Sequence, residues 1–529
     1  MAKDMVQVRR GRTNQFAQEP QIKIGRSQFD RSHMVKMGFD ASYLYPILVD
    51  EVLPGDTFTC NLTGFCRITH PLDAPILDNI TLDTFFFFVP NRLVWDNWKY
   101  FMGEHDAAGA QDTDYTVPIF NDSTVVSHDA GIYSVARLMA HMGLPDGLDP
   151  SATDISALPL RAYVRIYNEW FRDQNLIDEV SMYTDNGPDI YAGPYALRKS
   201  AKKHDYFTSA LPYLQKGDAA EILGTLTTLD VETLAVEGNT ITVDSASGQR
   251  DLDSGAAQVD ISASNTGSAL FVDVSSLGVS INTLRESVAI QRLLERDARG
   301  GTRYVELIKS HFGVTNPDFR LQRPEYLGGG QSFININPVA VSAYTATDPT
   351  GKVKGFGTGV ISGHGWAKSF TEHGHIIGLI RARGDITYFQ GLDRMWSRST
   401  RYDYYIPALA HLGEQAIYKK ELFVNNDGAT TDDTVFGYQE RWAEYRYKPS
   451  RITGVLNPDA ASALSFWHLA EDFSSAPSLN QAFVEDNTPM DRVTTTDTGD
   501  QFLADIWFNY KCARPIPIHS IPSLTDRRF

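Results

Sequence analysis

Cysteine is nearly absent from this chain: Cys60, Cys66 and Cys512 are all that 529 residues contain. Three thiols are too few, and odd in number, for a disulfide framework, which suits folding in a reducing cytoplasm. Cys60 and Cys66, five residues between them, fall on one face of a strand; a core role is the plain reading there and a metal pair the alternative. Long apolar runs are missing too. No stretch approaches the roughly 18 apolar residues of a spanning helix, and the opening "MAKDMVQVRRGRTNQFAQEP" has no apolar signal core, so no membrane insertion and no signal-peptide export are expected.

Catalytic patterns are equally scarce. "GFGTGVISGHG" is glycine-rich, but the phosphate-loop spacing fails: Lys352 is followed by Val353, and Ala346 stands where the earlier glycine belongs. No G-x-S-x-G and no H-E-x-x-H occurs. "HGWAKSFTEHGH" brings together His364, His373 and His375. The last two, at i and i+2, would share a strand face and could seed a zinc site, yet no neighbouring Cys or His completes a familiar spacing. These gaps argue against an enzyme and give no cofactor, although a bound divalent ion is left open. No internal repeat is found, which leaves a glycan-binding or glycan-cleaving β-protein as the second-ranked reading.

What the chain does contain is material for strands. Apolar residues make up 42%, aromatics 11% and charged residues 21%, with 40 Gly and 25 Pro, a globular composition inclined to β-structure and turns. Its length implies one domain with large insertions, or two to three domains. From "FDASYLYPILVDEVLPGDTFTCNLTGFCRIT" onward, short Phe-, Thr-, Val- and Ile-rich runs are cut by Pro-Gly and Gly turns; "TFTCNLTGFCRIT" reads as a strand pair or as one strand bulged at Gly64. "ITLDTFFFFVP" is too short for an ordinary helix and apolar on both strand faces, so Phe85, Phe86, Phe87 and Phe88 predict a strand covered on both sides, by an insertion of the same chain or by a neighbouring subunit. Trp95 and Trp98 then sit in a helical turn stopped by Gly103, as core or as interface. The spacing of Leu160, Tyr163, Val164, Tyr167, Trp170 and Phe171 predicts an amphipathic helix. "INTLRESVAIQRLLERDARGG" predicts another, opened by Thr283 with Glu286 and closed by Gly300 and Gly301.

The net charge of −17 is unevenly spread. Residues 1–36 carry eight Lys and Arg against three acids, a net of +5, and read as an extended basic arm. Residues 217–284 hold ten acids against Arg250, a net of −9, with no proline and Phe271 as the single aromatic residue. They read as a separately packed, solvated excursion with a hairpin centred on Glu237, Gly238 and Asn239, a flexible linker being the alternative. Arg9, Arg10 and Arg12 in the arm, and Arg198, Lys199, Lys202 and Lys203 beside Tyr206 and Phe207, have the make-up of nucleic-acid contacts; a solvated loop is the alternative for the second group. Such segregation suggests one face turned to an anion and another turned away from it.

Several long strings go further than any short motif. "FDRSHMVKMGFDASYLYPILVDEVLPGDTF" (29–58), "FFFFVPNRLVWDNWKYFMGE" (85–104), "ERDARGGTRYVELIKSHFGV" (295–314), "RMWSRSTRYDYYIPALAHLGEQAIYKKE" (394–421) and "VFGYQERWAEYRYKPSRITG" (435–454) run in order along the chain. They resemble the major capsid proteins of the Microviridae, the gokushovirus type of single-stranded DNA phage. The resemblance implies an eight-stranded jelly roll with long loop insertions and a few helices, divided as arm 1–36, core 37–216, surface insertion 217–284 and remaining core 285–529. It also implies a T=1 shell around circular single-stranded DNA, assembled in the bacterial cytoplasm. Residues 217–284, with Asp230, Glu232, Glu237, Asp244, Arg250, Asp251 and Asp253, would form a protrusion at the three-fold axes. Implied partners are further copies of the chain, the DNA, minor virion proteins such as a DNA pilot protein and a small basic DNA-binding protein, and a host surface receptor, for which a glycan is one option.

Overall fold

Buried and exposed positions alternate along two long framework strands, Thr57–Ile68 and Phe502–Arg514. The structure is a computed structural model that describes residues 25–104, 115–131, 134–190, 193–218, 231–233, 243–245, 248–250, 270–272, 281–299, 306, 309–311, 322–344, 348–426, 431–495 and 499–519. Nine strand segments form one antiparallel sheet: β1 (Ser27–Asp30), β2 (His33–Phe39), β3 (Tyr45–Val52), β4 (Thr57–Ile68), β5 (Ile80–Pro90), β6 (Glu325–Ala340), β7 (Val353–Ser369), β8 (Gly374–Gly384) and β9 (Phe502–Arg514). Their order is β1-β9-β4-β7-β6-β5-β8-β3, with β2 also on β9. Because β1 and β2 both pair with β9 on either side of Arg31 and Ser32, they serve as one interrupted first strand. Counted that way, the first strand lies beside the eighth, the second beside the seventh, the third beside the sixth and the fourth beside the fifth. This nested pairing is that of a jelly roll, as expected from the resemblance.

The sheet curls so that β2, β9, β4 and β7 face β6, β5, β8 and β3. On β9, Phe502, Ala504, Ile506, Phe508, Tyr510 and Cys512 are buried while Leu503, Asp505, Trp507, Asn509 and Lys511 point outward. Across the interior, Phe86 of β5 lies 6.1 Å from Trp366 and 6.4 Å from Phe508, and Phe88 lies 4.6 Å from Phe370. Cys60 and Cys66 share the inner face of β4 as free thiols, which burial pushes up to about 12, so they stay protonated and pack as small apolar groups. β4 runs unbroken past Gly64, and the irregularity lies on its neighbour: the β4–β7 register shifts between Ile361 and His364, where Gly363 takes a φ of 75°. The glycines of "GFGTGVISGHG" serve packing. A Cβ on Gly357 would stand 2.4 Å from Cδ1 of Ile68.

The double-faced strand has its cover within the chain. Phe85 and Phe87 point away from the sandwich interior and meet Phe171 at 5.1 and 5.7 Å, and Phe87 also meets Trp170 at 5.5 Å and Tyr326 at 5.5 Å. Phe171 and Trp170 close a helical segment inserted between β5 and β6. That insertion, residues 91–324, carries α1 (Trp98–Phe101), α2 (Val135–His141), α3 (Leu158–Ile166) and α4 (Ile281–Arg299). α3 runs into a π-turn over Tyr167–Phe171, which swings both rings onto β5. Trp95 is fully buried, its Nε1 donating to Asn186 Oδ1 at 2.9 Å, and Trp95, Trp98 and Phe101 form a cluster of tilted and edge-on rings 5.3 to 6.1 Å apart. A buried ion pair fixes α3: Arg161 Nε donates to Asp189 Oδ2 at 2.9 Å, and Tyr195 donates to the same carboxylate. A second insertion, residues 385–501 between β8 and β9, packs Tyr388, Ile417, Phe436 and Phe483 against Tyr206 and Phe207 of the first, forming a smaller core.

Residues 213–316 form a compact unit distinct from the rest of the chain. α4 is its main element, with Lys216 N donating to Leu294 O at 3.3 Å. The helix begins at Ile281, so Thr283 lies in its first turn instead of capping it. Two short strand pairs join Val231–Thr233 to Leu270–Val272 and Val243–Ser245 to Gly248–Arg250. Glu237, Gly238 and Asn239 lie outside the described residues, but the strands flanking them pair elsewhere and not with each other. Local alternation gave a strand pattern there without naming its partner.

Candidate assembly and nucleic-acid surfaces

The basic segment 198–203 is woven into the fold. Arg198 Nη2 donates to the carbonyls of Gly193 at 3.2 Å and Pro194 at 3.0 Å. Lys199 Nζ donates to Asn487 Oδ1 at 2.7 Å and lies 5.1 Å from the Tyr43 ring centre. Lys202 is buried, with Nζ 2.9 Å from Glu471 Oε1, and its backbone N–H donates to Val484 O. Lys203 and His204 are exposed. Tyr206 and Phe207 are buried, Tyr206 donating to Glu421 Oε2 at 3.0 Å and Phe207 lying 5.2 Å from Tyr388. Of this run Lys203 presents its charge to solvent, while Lys202 answers to an acid far along the chain that local sequence does not reveal. Arg9, Arg10 and Arg12 lie outside the described residues, as do Asp230, Glu237, Asp251 and Asp253. Glu232, Asp244 and Arg250 sit on the short strands of the 213–316 unit.

The three histidines take separate roles. His364 has both ring nitrogens engaged, Nδ1 with Thr84 Oγ1 at 2.7 Å and Nε2 with Ser332 Oγ at 3.1 Å. His373 packs against Trp98 at 5.6 Å. His375 is buried in β8 without a partner for Nδ1, and that burial lowers its pKa to about 4. Among the described residues no three His, Cys, Asp or Glu side chains are grouped to hold a metal ion.

A surface on the second insertion was not singled out from the sequence. Trp396 is 70% exposed, and Tyr402, Tyr404, Tyr405, Tyr445 and Tyr447 are each about half exposed or more, at 61, 54, 49, 51 and 55%. Tyr404, Tyr405 and Tyr445 are held in place. The Arg398 guanidinium lies 5.5 Å from the Tyr404 ring centre and 4.4 Å from that of Tyr445, and Arg398 pairs with Glu444 at 3.3 Å. Tyr405 packs 5.6 Å from buried Trp442, whose Nε1 donates to Leu409 O at 2.9 Å. Next to them opens a cleft of about 170 Å³ lined by Leu392, Trp396, Tyr447 and Pro449 and by Arg394 and Glu421, which pair at 3.1 Å. Burial raises the Glu421 carboxyl above its ordinary range against the pull of Arg394. The signal was present in "RMWSRSTRYDYYIP": aromatic residues with interleaved arginines and neither a strand nor a helix period.

A double-sheet jelly roll with long insertions, one of which covers the outer face of β5, is the architecture that viral coat proteins share with lectins and cupins. The chain belongs to the family described as capsid protein (F protein), which matches residues 17–524. It is 43% identical over 537 residues to the capsid protein VP1 of Bdellovibrio phage phiMH2K, covering 97% of this chain and 98% of that protein. Similarity to the capsid proteins VP1 of Chlamydia phage 1, at 39% over 587 residues, and of Spiroplasma virus 4, at 33% over 555 residues, covers the same shares. The expectation of a Microviridae capsid protein of the gokushovirus type is borne out. The chain is a structural protein of the virion and not an enzyme; the glycan-cleaving alternative has no counterpart among these relatives. Among the described residues no helix is long and apolar enough to cross a membrane.

Proposed function

We propose that this capsid protein closes a T=1 icosahedral shell around circular single-stranded DNA, with residues 217–284 outside as the protrusion that meets the host receptor and the basic arm inside against the genome. The observation that carries the reading is the jelly-roll strand order on a chain matched over nearly its whole length by phage capsid proteins. Charge supports the polarity. A segment of net −9 is repelled by DNA and suits an outer surface, whereas an arm of net +5 gains by displacing counterions from phosphates. Arg9, Arg10 and Arg12 are the leading DNA contacts in this reading, with Lys203 and Lys199 supplementary. Minor virion proteins, among them a DNA pilot protein and a small basic DNA-binding protein, complete the particle.

Two alterations test it. Replacing Arg9, Arg10 and Arg12 by alanine lowers retained DNA and reduces the salt slope of single-strand binding by about 2, at roughly 0.7 per phosphate contact. Unchanged DNA content and slope would mean that the arm contacts protein instead. Deleting 217–284 leaves the barrel folded and the particles unable to adsorb; loss of all soluble protein would show that the segment belongs to the core.

A further inference from the structure

We propose that the aromatic surface of the second insertion is a contact between copies of this chain, with the cleft between Trp396 and Tyr447 as the socket for an apolar or aromatic side chain of the next copy. The inference rests on the shell-forming reading above and says which surface does the joining. Three observations carry it.

The first is area. At roughly 200 Å² per fully exposed ring, the six exposed rings present on the order of 700 Å². That is close to the roughly 800 Å² each partner of a standard interface buries. Exposed aromatic area of this size on one insertion is more than a chain that stays alone commonly shows, and tyrosine, tryptophan and arginine are the residues most enriched in interface centres.

The second is rigidity. Arg398 is clamped by Glu444 and stacked on Tyr404 and Tyr445, so these rings lose little freedom when covered. The third is charge balance. Lys448 pairs with Asp393, Arg446 with Glu440 at 2.5 Å, and Arg394 with Glu421 at 3.1 Å. Arg398 is likewise answered by Glu444, which leaves Arg401, Arg441 and Arg451 as the remaining cations, the first two lying over the rings of Tyr402 and Trp442. With four of these seven cations answered by acids and an aromatic area close to that of a standard interface, a second copy is favoured over single-stranded DNA as the occupant.

The test compares oxidative footprints of Trp396, Tyr404 and Tyr447 in virions and in protomers released from them, read by mass spectrometry. A genome carrying Trp396→Ser with Tyr447→Ser supplies the variant, and Trp507→Ser, on the outer face of β9, supplies the comparison. The expected result is at least fivefold protection of Trp396 and Tyr447 in virions, and at least a tenfold loss of particles for the double variant although its protomers melt at the wild-type temperature. Equal oxidation in virion and protomer, or wild-type particle yield from the double variant, overturns the proposal while the shell reading stands. Protection reproduced by adding single-stranded DNA to protomers, without assembly, overturns it in favour of a DNA site. If the wild-type chain forms no particles, the shell reading fails and the proposal with it.

Discussion

Single side chains carry the most direct stability consequences. Phe87 is 1% exposed and touches Trp170, Phe171 and Tyr326, so Phe87→Ala removes a packed ring from under the first insertion. A loss of about 3–5 kcal/mol is expected, read from chemical denaturation of the protomer. His375 sets an acid limit. Its ordinary pKa of 6.5 falls to about 4 in the fold because burial disfavours the charged ring. The unfolded chain therefore binds a proton that the folded chain refuses, and stability falls as the pH drops from 6.5 toward 4. His375→Phe is expected to flatten the drop in melting temperature between about pH 7 and about pH 4.5; an unchanged drop would place the acid sensitivity elsewhere. These residue roles were unevenly legible. The burial of Cys60 and of the phenylalanine run followed from strand geometry, whereas the burial of Lys202 depends on Glu471, a partner brought close by the fold alone.

At the scale of elements, periodicity was the readable part. The alternation of β9, the two apolar faces of β5 and the amphipathic α3 could all be read from spacing, because each buries a face fixed by its own geometry. Partner choice was not readable: the strands at 231–233 and 243–245 pair away from each other, and the π-turn after α3 that aims Trp170 and Phe171 leaves no period in the sequence. α3 also depends on a charge pair that strand and helix patterns do not show. Asp189→Ala would leave the fully buried Arg161 with the longer contact to Asp185 Oδ1, at 3.5 Å, and the carbonyls of Val94 and Asp185 in place of its close carboxylate. A cost of about 3–5 kcal/mol is expected from stranding such a charge. Recovery in the double variant Arg161→Met with Asp189→Ala, measured by thermal melting, separates the charge term from lost packing.

For the whole molecule, two long insertions into one jelly roll explain why a chain of 529 residues keeps a single framework sheet. They sheathe the outer face of β5, build a second core, and display rings left exposed among the described residues. Resemblance made the framework legible, since the family it pointed to implied a jelly roll. It did not make the joining surface legible, because exposed aromatic residues look like core until the fold shows which of them are left outside. Reconstruction of whole particles by electron cryo-microscopy addresses the central claim most directly. The account expects closed T=1 shells whose wall is the jelly roll of this chain, with residues 217–284 outward and Arg9, Arg10 and Arg12 inward against DNA. A wall built from another protein, or Arg9 and the 217–284 segment on the same outer surface, would contradict it.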